Sequence, residues 1–169
     1  RAFMPKLRRL GGWLLLVVLT AAPLPAAQRP PQEAEAVAQA VLKTTLIIDT
    51  HADTPQMMLD ENYDLADPAG PYMISIPKMQ QGRLGAVFFS IWVPVEYPKR
   101  DILRRAFDLI DVVHEQVARH PQALAFASTA DDIERHHRQN RIAVLMGLEG
   151  GHMIENDLRL LNTYYRLGI

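Results

Sequence analysis

Apolar and polar residues along this chain alternate between a helical rhythm and short unbroken runs. Ala34, Val37, Ala38, Val41 and Leu42 recur at helical spacing, with acids at the start and Lys43 at the end, which predicts a helix over Glu33–Lys43. The β-branched, apolar run Thr44–Ile48 follows, and its composition predicts a short strand buried inside a parallel sheet. It leads into the polar stretch Asp49-Thr50-His51-Ala52-Asp53-Thr54. A second apolar run, Leu84–Val93, follows Gly82 and stops at Pro94, again a strand opening into a loop. Asp101–His120 carries apolar residues at 103, 106, 107, 110, 113 and 117 ahead of Pro121, a pronounced amphipathic helix. Leu124–Ala127 reads as a short strand, and Ser128 or Thr129 caps a helix with Asp131 and Asp132 in its first turn. Ile142–Leu148 is a third strand, ending in Glu149-Gly150-Gly151-His152, and Asn156–Leu167 reads as a further helix.

Strands alternating with helices predict βα units, hence an α/β fold with a parallel sheet. The polar residues follow the strands directly, at the C-terminal ends where barrels and open α/β sheets both place their chemistry. The roughly 28 residues from Thr54 to Gly82 read as a long, mostly irregular stretch of the kind used for an active-site loop.

Charge changes this picture at one end only. The formal net charge of the 169 residues is −1, yet Arg1, Lys6, Arg8 and Arg9 carry every charge before Gln28. Setting those four aside leaves 14 of the 18 basic residues against 19 acidic ones, a balance of about −5 over residues 28–169. No Lys/Arg cluster remains there to follow a phosphate backbone, so nucleic acid is not an expected partner. The basic opening has another explanation. Met4, the cations at 6, 8 and 9, the apolar run Trp13–Ala22 and the Pro/Ala stretch 23–27 have the layout of a secretory signal peptide over 4–27, with an uncleaved N-terminal anchor as the alternative. Arg1–Phe3 then precede the natural start. The expected location is exported, periplasmic or secreted, with no stable membrane span once the signal is removed. Residues 28–44 form a linker and N-terminal helix, and 45–169 the catalytic-type portion. The chain has no cysteine, which excludes disulfides, thiol nucleophiles and a lipid-modified N-terminal Cys.

Two groups of residues suggest chemistry. In an extended chain His51 and Asp53 project to the same side, so an imidazole nitrogen and a carboxylate oxygen are presented together, as one zinc-like ion requires. A hydrogen-bonded loop pair is the other reading of His-x-Asp. Glu149 follows seven largely apolar residues, a costly place for a carboxylate unless a cation meets it. Gly150 and Gly151 let the backbone turn sharply there; a glutamate capping the next helix is the alternative. His152 lies beyond two glycines and reads as a residue that orients the loop. His136 and His137 sit within the charged run Glu134–Arg138, where adjacent side chains diverge, and read as a solvated helix face, as do His114 and His120 on their helix. No G-x-S-x-G elbow, P-loop or dinucleotide fingerprint is present. The residues alone therefore give an α/β protein with a metal site short of ligands.

Taken in order, these segments resemble a known family. Asp49-Thr50-His51-Ala52-Asp53-Thr54-Pro55 resembles the D-x-H-x-D-x-P opening of the membrane (renal) dipeptidases. Ile76-Pro77-Lys78-Met79 with Gly82–Ser90 is similar to their second-strand region, Gly147–His152 to their G-x-E-G-G-H segment, and Leu158–Ile169 to the helix before their next strand. Phe89 and Val87 depart from the Trp and Gln common in that second strand. The resemblance implies the N-terminal part of a metal-dependent-hydrolase TIM (β/α)8 barrel, truncated, from an enzyme that hydrolyses dipeptides, including L-Xaa-D-Xaa substrates. It implies two Zn2+ per full-length chain, with His51 and Asp53 on one ion, Glu149 bridging both, and a hydroxide between them as nucleophile. Two further His ligands, an Arg for the substrate carboxylate and an Asp for the proton would lie beyond Ile169. The fragment alone is therefore expected to be inactive and aggregation-prone, with sheet edges exposed. A homodimer stays open. The rival readings are another amidohydrolase-type metal hydrolase, which would usually open with H-x-H where Asp53 stands here, and a non-catalytic exported barrel protein.

Overall fold

Strands and helices alternate through residues 31–169, which are those described by the computed structural model; the expected signal segment 4–27 lies outside the described residues. The elements are α1 (Pro31–Thr44), β1 (Ile47–Ala52), α2 (Pro55–Asp60), α3 (Ile76–Gln81), β2 (Leu84–Trp92), α4 (Ile102–Arg119), β3 (Leu124–Phe126), α5 (Ala130–Arg138), β4 (Ile142–Glu149) and α6 (Arg159–Arg166), with short 3₁₀ turns at Lys99–Asp101 and Gly151–Ile154. All strand pairs are parallel, in the order β1-β2-β4-β3. A sheet laid down strictly in sequence would place β3 beside β2. Instead β4 takes that place, pairing with β2 from Ala86↔Ala143 to Trp92↔Glu149. With only three residues, β3 is too short to flank β2 along its length, and it covers just Ile142–Val144 of β4 from the outside.

Alternation along β2 and β4 sorts the sheet into two faces. Val87, Phe89 and Ile91, each with no exposed surface, and their neighbours Val144 and Met146 form the face that packs into the main core with Leu109, Ile110 and Val113 of α4. That helix keeps the predicted periodicity. Its one buried polar side chain, Gln116, is satisfied: its oxygen accepts from the Leu65 amide at 3.0 Å and its nitrogen donates to the Tyr63 carbonyl at 3.4 Å. The segment after α2 is thereby fastened to α4 and is less irregular than its sequence suggests. It holds α3, capped by the Ser75 hydroxyl with Pro77 in the first turn, while Leu65 and Ile76 are buried.

The opposite face carries Ala86, Phe88, Ser90 and Trp92 beside Ala143, Leu145, Gly147 and Glu149. Its lower end is covered by α5, whose Ile133 packs on Ala86 and Ala143. Thr129 starts this helix with a full capping box to Asp132. The docking of α5 corrects the reading of His136 as solvated. His136 lies three residues after Ile133, on the same helical face, and is 6% exposed, with Nε2 2.9 Å from the Phe126 carbonyl and Nδ1 3.1 Å from Arg141 Nη2. His120 is also engaged, 2.7 Å from Asp64.

Two boundaries differ from expectation. The first strand begins at Ile47, not Thr44, because α1 continues to Thr44; it is also an edge strand, with Ile48 38% exposed, and not buried. The last helix starts at Arg159, because Glu155 and Asn156 both adopt positive φ, which no helix tolerates. The Val37 and Val41 face of α1 is exposed.

Candidate metal centre

Three strand ends build the site. The register of β1 on β2 slips between Asp49 and Ala52, so three residues of β1 span two of β2. The Asp49 carboxylate accepts from the His51 amide at 3.0 Å and shapes this bulge. Ala52 then turns into the core beside Phe89, which leaves His51 and Asp53 on the other face, toward Glu149. Trp92 and Glu149 are register partners, so Glu149 stands at the top of the same face.

The residues predicted from the sequence converge. His51 Nε2 lies 3.4 Å from Asp53 Oδ1 and 3.2 Å from Glu149 Oε2, and one ligand atom from each of the three falls within 4.8 Å of the others. All three side chains are more than half exposed, so the site opens at the C-terminal edge of the sheet and is not part of the core. A cleft of about 410 Å³ runs beside it, lined among others by Thr50, Phe88, Ser90 and Gly147. Gly147 presents only backbone to this cleft; a Cβ there would meet no atom within 4 Å.

The donor set fits a divalent transition metal. Zinc bonded at about 2.0–2.2 Å holds tetrahedral ligand atoms about 3.3–3.6 Å apart; the His51–Asp53 contact at 3.4 Å falls in that range and the His51–Glu149 contact at 3.2 Å lies just below it. One imidazole and two carboxylates also suit a borderline ion better than a purely hard one.

Two supporting residues complete the arrangement. Ser90, 4% exposed, donates from Oγ to Glu149 Oε2 at 2.7 Å. Sequence reasoning did not single it out, although a lone hydroxyl in the apolar run Leu84–Val93 was the available signal. His152 has the loop-orienting role expected of it: Nε2 lies 2.9 Å from the Val93 carbonyl and joins the loop after β4 to the end of β2. Gly150 is required twice over, by a φ of +108° and by a would-be Cβ only 2.6 Å from the His152 ring.

The sequence profile described as membrane dipeptidase (peptidase family M19) matches residues 35–169. The chain belongs to the membrane dipeptidase family. Its curated relatives include dipeptidase ataJ of Aspergillus terreus, 33% identical over 147 residues, covering 78% of this chain and 35% of that protein. Rat dipeptidase 3 is 26% identical over 137 residues, covering 78% and 27%. Among solved structures, the probable dipeptidase PvdM of Pseudomonas aeruginosa matches with a TM-score of 0.75 at 18% identity, covering 83% of this chain and 37% of that one. A metallopeptidase of Rhodobacter sphaeroides, solved with a phosphinate mimic of L-Ala-D-Ala, matches at 0.62 and 18%, covering 73% and 43%. These structures share the fold of this chain. Against the curated dipeptidases, the chain spans about a third of their length.

Proposed function

We propose that the protein carrying this chain is an exported zinc dipeptidase, with His51, Asp53 and Glu149 supplying part of a two-zinc centre. The convergence of those three ligand atoms at adjacent strand ends carries the reading. Glu149 would be the ligand shared by the two ions, as the resemblance to the membrane dipeptidases implies. Bound zinc supplies Lewis acidity toward a peptide carbonyl and activates water.

The protein's own groups do the rest. Ser90 fixes which way the Glu149 carboxylate faces, His51 presents Nε2, and the Asp53 carboxylate lies beside it on the same face. The cleft beside Gly147 lies within the usual volume range of small-ligand sites, about 300–1,000 Å³, a size compatible with a dipeptide. Dipeptides with a D-residue at the C-terminal side belong to the proposed substrate class, in keeping with the mimic held by the Rhodobacter sphaeroides enzyme. A closed (β/α)8 barrel completed by sequence after Ile169, a cleaved signal over 4–27, a periplasmic or secreted location and catalytic silence of the 169 residues alone are parts of the same proposal.

The test is metal analysis and cleavage assays on the complete reading frame lacking residues 1–27. The expected result is near two zinc ions per chain, with chelator-sensitive cleavage of L-Xaa-D-Xaa dipeptides that vanishes in Glu149→Ala. A folded, metal-free protein without cleavage would overturn it.

A further inference from the structure

We infer that Gln56 and Arg105 form a positioning clamp that holds Asp53 in place against Glu149, an inference that rests on the metal-centre reading above. Asp53 and Glu149 lie on different segments, one after β1 and one at the end of β4, and Gln56 reaches toward both. Its backbone N–H donates to the Asp53 carbonyl at 3.1 Å, closing the turn that starts α2. Its side-chain Nε2 donates to the Trp92 carbonyl at 2.7 Å, and Trp92 is the register partner of Glu149. One residue therefore links the backbone of one ligand to the strand position beside another.

A glutamine amide can present either end, and Arg105 removes that ambiguity. A guanidinium only donates hydrogen bonds, so the amide must turn its oxygen toward it. Arg105 Nη2 donates to Gln56 Oε1 at 2.6 Å, which leaves Nε2 aimed at the Trp92 carbonyl. Arg105 is itself fixed: its two terminal nitrogens reach the two oxygens of Asp60 at 2.6 and 2.7 Å, and its side chain is only 13% exposed. Such a fork-to-fork pair is the most directional ion pair available to a protein. The Arg105 hydrogen bonds hold the Asp60 carboxyl below its ordinary range and raise the guanidinium, so both remain charged. The clamp thus runs from α4 through Arg105 and Gln56 to the Asp53 backbone after β1 and to the end of β2 beside Glu149.

The experiment uses the complete reading frame. Zn2+ affinity is read by competition with a chromogenic chelator, and Co2+ loaded in place of zinc reports ligand geometry by its visible absorption. Gln56→Met and Arg105→Ala are each expected to weaken zinc binding about tenfold, the lower end for residues that support metal ligands, and to shift the Co2+ bands. The double variant should be no weaker than the worse single, because both act through one chain of contacts. Arg105→Lys, with one donor group in place of a fork, should fall between wild type and Arg105→Ala, and it keeps the test informative if the alanine variant fails to fold. Thr129→Ala, which removes the distant α5 cap, should lower Tm with unchanged metal binding. Unchanged zinc affinity and Co2+ spectra in Gln56→Met and Arg105→Lys would overturn the clamp while leaving the metal centre standing. So would an equal loss of affinity in Thr129→Ala. Absence of metal binding by the wild type would overturn the metal-centre reading itself, and the clamp with it.

Discussion

The hydroxyl of Ser90 offers a direct test of how the sheet supports the ligand set. In Ser90→Ala one oxygen disappears, and with it the 2.7 Å hydrogen bond to Glu149 Oε2. A hydrogen bond to a charged group contributes about 1.5–3 kcal/mol where water is excluded. Glu149 is 55% exposed, so water replaces much of what is lost, and a cost of about 1 kcal/mol is the better figure. Since each 1.4 kcal/mol is tenfold in affinity, zinc binding should weaken roughly fivefold. Thermal stability should hardly change, because the lost partner is a carboxylate that water can reach and the alanine methyl suits a buried strand position. Chelator competition against Zn2+, run beside thermal unfolding of the metal-free protein, measures both quantities. Affinity at the wild-type value, or a loss of several kcal/mol of stability in the metal-free protein, would mean that Ser90 does not support the ligand set in this way.

Further outcomes follow from particular contacts. Among the described residues a Cβ at Gly147 meets open space on the cleft face, so in the complete reading frame Gly147→Val should leave Tm unchanged or higher while kcat/KM for dipeptides collapses; equal loss of both would contradict the cleft assignment. Phe89→Ala empties a site with no exposed surface between β2 and the α4 layer, and should cost about 3–5 kcal/mol in denaturant unfolding. Acid should loosen the anchoring of the segment after α2. Burial alone would raise the Asp64 carboxyl, but the Ala66 amide, His120 and Arg119 outweigh it and bring it below the ordinary value. A depressed carboxyl stabilises the fold fully above its unfolded pKa of about 4 and loses that contribution as pH falls through the lowered value. Tm should therefore drop below about pH 4, and Asp64→Asn should flatten that part of the profile.

Much of this organisation could be read from residue order. The periodicity of α4 and the capping signal at Thr129 are local properties, and the structure keeps both. His51, Asp53 and Glu149 stood out because charged groups at the ends of apolar runs need a reason to be there, and their meeting follows from parallel register. What the sequence hid was set by tertiary contacts. His136 is buried because α5 docks through Ile133, a fact that a charged pentapeptide does not disclose. The displacement of β3 to the far side of β4 depends on which neighbour each strand finds, not on its own composition. Gln56 lies in the stretch read as irregular and Arg105 on the amphipathic helix, neither with a signal of its own, and their joint contact spans 49 residues of sequence. The stretch from Thr54 to Gly82 seemed irregular because its helices are only six residues each, too short to show a period.

Whether His51, Asp53 and Glu149 hold metal together can be read from diffraction at the zinc absorption edge. Crystals of the complete reading frame equilibrated with zinc should give an anomalous peak about 2.0–2.2 Å from the His51 nitrogen and from oxygens of Asp53 and Glu149. A zinc-loaded crystal with no peak among those three side chains, or with the ion bound elsewhere, would mean that they are not its ligands.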